Sequence, residues 1–175
     1  TNVIISGNMA GQGGGLILFS SHPTLTNVTI SGNWANEAGG LICYSSNPNL
    51  THVTISNNQV YIGFAPGMFL IDSHPILTNS IHWENFVNWA GEQLPIISYS
   101  DIPYNWPGEG NINLDPLFTD PENGDFTLQE DSPCIDAGTA DLDGDGYDDI
   151  TNYFGSAPDM GAFEYEGSTL LGDLN

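Results

Sequence analysis

The sequence predicts an all-β solenoid, a ribbon of short strands coiled on itself in stacked turns, and three observations predict it. One phrase recurs: Thr1-Asn2-Val3-Ile4-Ile5-Ser6-Gly7-Asn8 returns as Thr26-Asn27-Val28-Thr29-Ile30-Ser31-Gly32-Asn33, as Thr51-His52-Val53-Thr54-Ile55-Ser56-Asn57-Asn58, and more loosely as Thr78-Asn79-Ser80-Ile81-His82-Trp83-Glu84-Asn85, at intervals of 25, 25 and 27 residues. A fixed period in that range means one supersecondary unit stacked on copies of itself. No stretch sustains the i, i+3, i+4, i+7 apolar pattern of a helix, so the short apolar runs read as strands. Superposed repeats also put like residues in columns: Leu16, Leu41 and Met68; Leu18, Cys43 and Leu70; Leu25, Leu50 and Leu77. With neighbouring strands about 4.8 Å apart, each residue would lie over its counterpart in the coil before.

The second repeat shows the unit. Strands are expected at Val28-Thr29-Ile30, along Gly39 to Tyr44, and at Pro48-Asn49-Leu50, with turns at Gly32-Asn33 and Ser45-Ser46-Asn47. About four coils of three short strands fill residues 1–102. An acidic, irregular capping module follows over 103–166, and 167–175 reads as the start of a linker or anchor. Recurrent Gly and Asn mark corners, because both tolerate a left-handed backbone. Asn8, Asn33, Asn58 and Asn85 form one such column, whose side-chain amides can join from coil to coil as a structural ladder. If the leucine columns face inward, alternation sends Ile17, Phe19, Ile42, Tyr44, Phe69 and Ile71 outward. That apolar stripe is either covered by the terminal module folding back or a contact surface for a subunit, a neighbouring domain or a sugar. Trp34, Trp83, Trp89 and Trp106 offer stacking faces or corner and cap packing.

Composition narrows the partners. The 175 residues hold no Lys or Arg against 22 Asp plus Glu, a formal charge of −22, and only four acids (Glu37, Asp72, Glu84, Glu92) fall in the first 100 residues. Nucleic acid is excluded as a partner, since phosphate binding depends on cationic side chains that release counterions, and anionic membranes are excluded likewise. No apolar run is long enough to span a bilayer. The chain opens inside a repeat, so an upstream segment or a neighbouring subunit of the same protein is expected to cover the first coil. Cys43 sits in a leucine column and reads as a buried thiol.

The sharpest motif is Asp141-Leu142-Asp143-Gly144-Asp145-Gly146-Tyr147-Asp148-Asp149. Calcium collects six or more oxygens from a short loop when acids stand at positions 1, 3 and 5, glycine at 6, a backbone carbonyl at 7 and an acid at 9. Asp141, Asp143, Asp145, Tyr147 and Asp149 fill those positions, while Asn152 replaces the bidentate Glu of position 12 and no helix pattern flanks the loop. A weak, extracellular type of calcium site is expected; a solvated acidic turn is the alternative. His22 and His74 precede prolines at one corner with Asn47 between them, two coils apart and too far to share a zinc. His52 takes an asparagine's place at another corner, and His82 is uninformative by itself. Asn27-Val28-Thr29 and Asn49-Leu50-Thr51 match the glycosylation pattern, at positions where Asn and Thr also recur structurally.

Catalysis finds little support in the sequence. Polysaccharide lyases need positive charge to hold a uronate and its enolate, and glycosidases need two carboxylates about 5–10 Å apart. Glu37, Asp72 and Glu84 fall in three different columns.

The repeats resemble those of secreted bacterial right-handed parallel β-helix proteins. The motifs Ser98-Tyr99-Ser100-Asp101-Ile102, Trp106-Pro107-Gly108-Glu109-Gly110-Asn111-Ile112, Asp115-Pro116-Leu117-Phe118, Ser132-Pro133-Cys134-Ile135-Asp136-Ala137-Gly138 and Asp159-Met160-Gly161-Ala162-Phe163-Glu164-Tyr165 resemble the terminal, choice-of-anchor type module of such proteins. The resemblance implies that Cys134 is a lone cysteine of that module. Gly172-Asp173-Leu174-Asn175 resembles the opening of a dockerin-like calcium repeat. The resemblance implies an extracellular or cell-surface address. The expected function is a non-catalytic structural or adhesive module of a surface-anchored or filament-forming protein, stabilised by calcium. The alternative is a carbohydrate-binding or polysaccharide-degrading β-helix whose active coils lie outside this chain.

Overall fold

A computed structural model describes residues 2–63, 65–85, 87–92 and 94–167. The dockerin-like Gly172 to Asn175 and the linker beyond Gly167 lie outside the described residues. In chain order the strands are β1 (Val3–Ser6), β2 (Met9–Ala10), β3 (Leu16–Phe19), β4 (Thr24–Ser31), β5 (Trp34–Ala35), β6 (Leu41–Tyr44), β7 (Asn49–Ser56), β8 (Gln59–Val60), β9 (Met68–Ile71), β10 (Ile76–Thr78), β11 (Ile81–Trp83), β12 (Val87–Ala90), β13 (Ile96–Ser98), β14 (Phe118–Asp120) and β15 (Asp125–Leu128). Among the described residues there is no α-helix, hence none long and apolar enough to cross a membrane.

The repeats stack as a parallel β-helix with three faces. One sheet runs β1-β4-β7-β10-β13 with β11 also on β7, a second β3-β6-β9-β12, and a third β2-β5-β8. Three coils carry all three faces, and a fourth contributes β11, β12 and β13 but, among the described residues, no strand on the third face. Register follows the sequence columns: Leu16 pairs with Leu41 and Leu41 with Met68, Leu18 with Cys43 and Cys43 with Leu70, Leu25 with Leu50 and Leu50 with Leu77. These columns are the solenoid core, closed by Ile30, Ile55, Ile97 and Ile102.

Three details differ from the sequence reading. The third expected strand does not stand alone: Pro48-Asn49-Leu50 leads into β7, and β7 continues through the first strand of the following repeat. The bend inside it is one left-handed residue, Asn27 in β4 (φ 55°) and His52 in β7 (φ 53°), which turns the chain while the ladder resumes on either side. The unanticipated third face is the two-residue strand type of β2, β5 and β8. The left-handed residue at the asparagine corner is also not the ladder Asn but the one before it, in turn Gly7, Gly32, Asn57 and Glu84. This leaves the ladder Asn free to turn its amide along the stack.

That ladder is continuous. Asn8 Nδ2 donates to Asn33 Oδ1 (3.0 Å), Asn33 Nδ2 to Asn58 Oδ1 (3.0 Å) and Asn58 Nδ2 to Asn85 Oδ1 (3.1 Å). Each Oδ1 also accepts the backbone N–H of the Asn below it. Serines form two more ladders: Ser21 N–H to Ser46 Oγ and Ser46 N–H to Ser73 Oγ, and Val53 N–H to Ser80 Oγ and Ser80 N–H to Ser100 Oγ. At the histidine corner, Asn47 N–H donates to His22 Nδ1 and His74 N–H to Asn47 Oδ1. Corners hold backbone donors that no strand partner satisfies, and these side chains supply the acceptors.

The terminal module docks on the outer face of the first sheet. Ile81 there joins Phe118, Phe126, Leu128, Cys134 and Met160 in a second core. The apolar stripe lies elsewhere and is covered by loops of its own coils: Ile42 is fully buried with Ala38 and Ala65, flanked by Ile17, Tyr44, Phe69 and Ile71. The module therefore does not fold back over the stripe. Phe19 stays 62% exposed, its ring stacked on Tyr44 at 4.7 Å.

Candidate functional site

The acidic loop folds around Asp141. Its Oδ1 accepts the N–H of Gly144 (2.7 Å) and its Oδ2 that of Gly146 (2.9 Å), possible because both glycines take left-handed φ. Those N–H groups, that of Gly146 foremost, hold the Asp141 carboxyl below its ordinary range. Asp143 accepts from Asp145 N–H, Asp145 from Tyr147 N–H and Asp149 from Leu142 N–H. Asp149 and Ile150 close the loop by donating to the Ala140 carbonyl.

One oxygen each of Asp141, Asp143 and Asp149 lies within 4.8 Å of the others. Two oxygens bound to one Ca²⁺ at 2.3–2.6 Å stand at most about 5 Å apart, so these three fit a single calcium ion. Asp145 is outside that group, Tyr147 is 78% exposed, and Asn152 lines the cleft beside the solenoid. The chain has no Lys or Arg to relieve the repulsion among these carboxylates.

The terminal motifs make the seam that holds this loop in place. Buried Asp159 accepts the N–H of Asp136 (2.8 Å) and of Tyr165 (2.6 Å), tying two distant motifs together. Asp136 in turn accepts from Ser156 and Ala157, whose N–H groups lower its pKa. Asn79 at a solenoid corner exchanges two hydrogen bonds with Thr139, Gly161 N–H donates to the Asn79 carbonyl, and Ala162 N–H donates to Thr54 Oγ1. Cys134 lies on Asp101 (3.5 Å); burial is the chief reason that the thiol is pushed up and that the Asp101 carboxyl rises to about 7. Cys43 is buried in the solenoid core and its thiol rises to about 12, so both cysteines are free and enclosed.

A cleft of about 560 Å³ runs along the seam between Thr24, Thr26, Asn27 and His52 on one side and Ile150, Phe154, Phe163 and Glu164 on the other. Glu164 there is engaged by the N–H groups of Asp159 and Phe154. His52 touches Asn79 (3.3 Å), and burial lowers its pKa. Glu37, Asp72 and Glu84 follow three different strands, β5, β9 and β11.

Sequence reasoning passed over two features. His82 occupies the isoleucine column of Ile5, Ile30 and Ile55, 1% exposed, with neither ring nitrogen hydrogen-bonded. Its replacement of Ile in the repeat was the available signal. The other is a second cleft, of about 470 Å³, where Trp89, Tyr104 and Trp106 come together. Nothing in the repeat indicates it, because Tyr104 and Trp106 lie past the repeats. Compared with family models, curated proteins and solved structures, the chain has no significant match.

Proposed function

We propose that this chain is a non-catalytic, extracellular structural or adhesive β-helix module of a surface-anchored or filament-forming protein, with calcium binding at Asp141, Asp143 and Asp149 to stabilise its terminal module. The observation that carries this reading is the convergence of three carboxylates on a preformed loop in a chain without a compensating cation. Around it, the inward columns are mostly apolar and the corner columns are spent on hydrogen-bond ladders. Neighbouring coils or subunits of the same protein are the partners that fit such a stack.

Calcium addition to chelated protein is expected to raise Tm, with a gain set by the ratio of free calcium to Kd. Asp141→Asn with Asp143→Asn should abolish that gain, and magnesium should reproduce little of it, because it dehydrates reluctantly. Superimposable melting curves in chelator and in millimolar calcium would overturn the calcium reading.

A further inference from the structure

The second cleft lies at the end of the solenoid that β12 closes. Trp89 stands in the inward column of Leu18, Cys43 and Leu70, yet it is 42% exposed because, among the described residues, no further strand pairs beyond β12. Trp106 meets it edge to face, with centroids 5.4 Å apart. Tyr104 is 69% exposed and is held there by two consecutive left-handed residues, Tyr104 itself (φ 69°) and Asn105 (φ 51°). Such conformations are costly for residues other than glycine and concentrate at functional positions. Val87, Ile102 and Pro103 complete the apolar lining, and Asn88 lines the cleft beside them.

We infer that this cleft binds a pyranose ring of a neutral glycan. Aromatic rings with one apolar body and one polar tip suit a ligand whose C–H face is apolar and whose rim is hydroxylated. Charge selects among aromatic-binding ligands. A chain of −22 net charge repels uronates and phosphorylated sugars. Quaternary ammonium ions also favour aromatic clefts, yet none of the residues lining this one is an acid, in a chain with 22 of them. The lining is therefore matched to an uncharged ligand. This inference is independent of the calcium reading, for the cleft shares no residue with the loop at Asp141.

The test is titration of the full chain with cellohexaose, xylohexaose, mannohexaose and chitohexaose, read by tryptophan fluorescence and calorimetry, with polygalacturonate and choline as comparison ligands. At least one neutral oligosaccharide should bind with a Kd of about 1 mM or tighter. Tyr104→Gly removes the ring and relaxes the left-handed backbone, so affinity should fall about tenfold while Tm holds or rises. Trp89→Leu restores the residue type of its own column and should also weaken binding; if that variant fails to fold, Tyr104→Gly decides alone. The inference is overturned if no neutral oligosaccharide binds, if choline or polygalacturonate binds in their stead, or if Tyr104→Gly leaves affinity unchanged.

Discussion

His82 and Asp101 are both buried ionisable residues, and they pull stability in opposite directions with pH. Burial lowers the His82 pKa from 6.5 to about 4, so between those values the unfolded chain holds a proton that the folded chain lacks, and stability falls as pH falls. Asp101 is raised from 3.8 to about 7, so in nearly the same window the folded chain holds the extra proton, and stability falls as pH rises. Each contributes a slope of up to about 1.4 kcal/mol per pH unit, and the two offset one another. His82→Ile should therefore make stability decline more steeply from pH 4.5 to 6.5 than in the parent (approximate limits set by those values), and Asp101→Asn should make it rise. Urea melts at several pH values check this, and equal slopes for the two variants would sink it. A residue's identity showed neither effect. His82 was legible only as an oddity in an isoleucine column, since its isolation depends on what surrounds it.

At the scale of the element, the coil is limited by how closely its neighbours approach. A Cβ on Gly40 would overlap the Gly67 carbonyl of the coil above, and one on Gly15 would come within 2.7 Å of the Gly40 carbonyl. Neither glycine needs a left-handed backbone, so they are present for close approach of one strand to the next. Gly40→Ala should cost about 1–3 kcal/mol, as overpacking does, whereas Gly32→Ala removes a left-handed glycine with open space at its Cβ and should cost about 1 kcal/mol. Equilibrium unfolding of the two variants tests the ranking; equal costs would refute it. The sequence placed Gly32 at a turn and Gly40 at the start of the expected strand Gly39 to Tyr44. Only the stacking distance shows that Gly40 is there for close approach.

Across the whole molecule, charge outweighs every other electrostatic effect. With 22 acids and no Lys or Arg, screening can only relieve repulsion among carboxylates, because no Lys or Arg ion pair exists to be weakened. Raising NaCl from about 10 mM to about 0.5 M shortens the Debye length from about 30 Å to a few ångströms, and Tm in chelator should rise throughout. A fall in Tm over that range would contradict this account. The acids crowd into the module that docks on the outer face of the first sheet, so the gain should be largest for unfolding of that part, as hydrogen exchange would show.

The sequence by itself determined the parallel stack, its register and its core columns, because a repeat of fixed length forces each residue over its copy. It also determined the formal charge, with 22 acids and no lysine or arginine. Tertiary structure decided where the terminal module docks, what covers the apolar stripe, and which acids converge. Residues such as Thr54 and Ala162, or Asp136 and Asp159, meet across long separations by hydrogen bonds that no period encodes. Periodicity constrains neighbours along the stack; contacts between the stack and its cap depend on the path of an irregular chain.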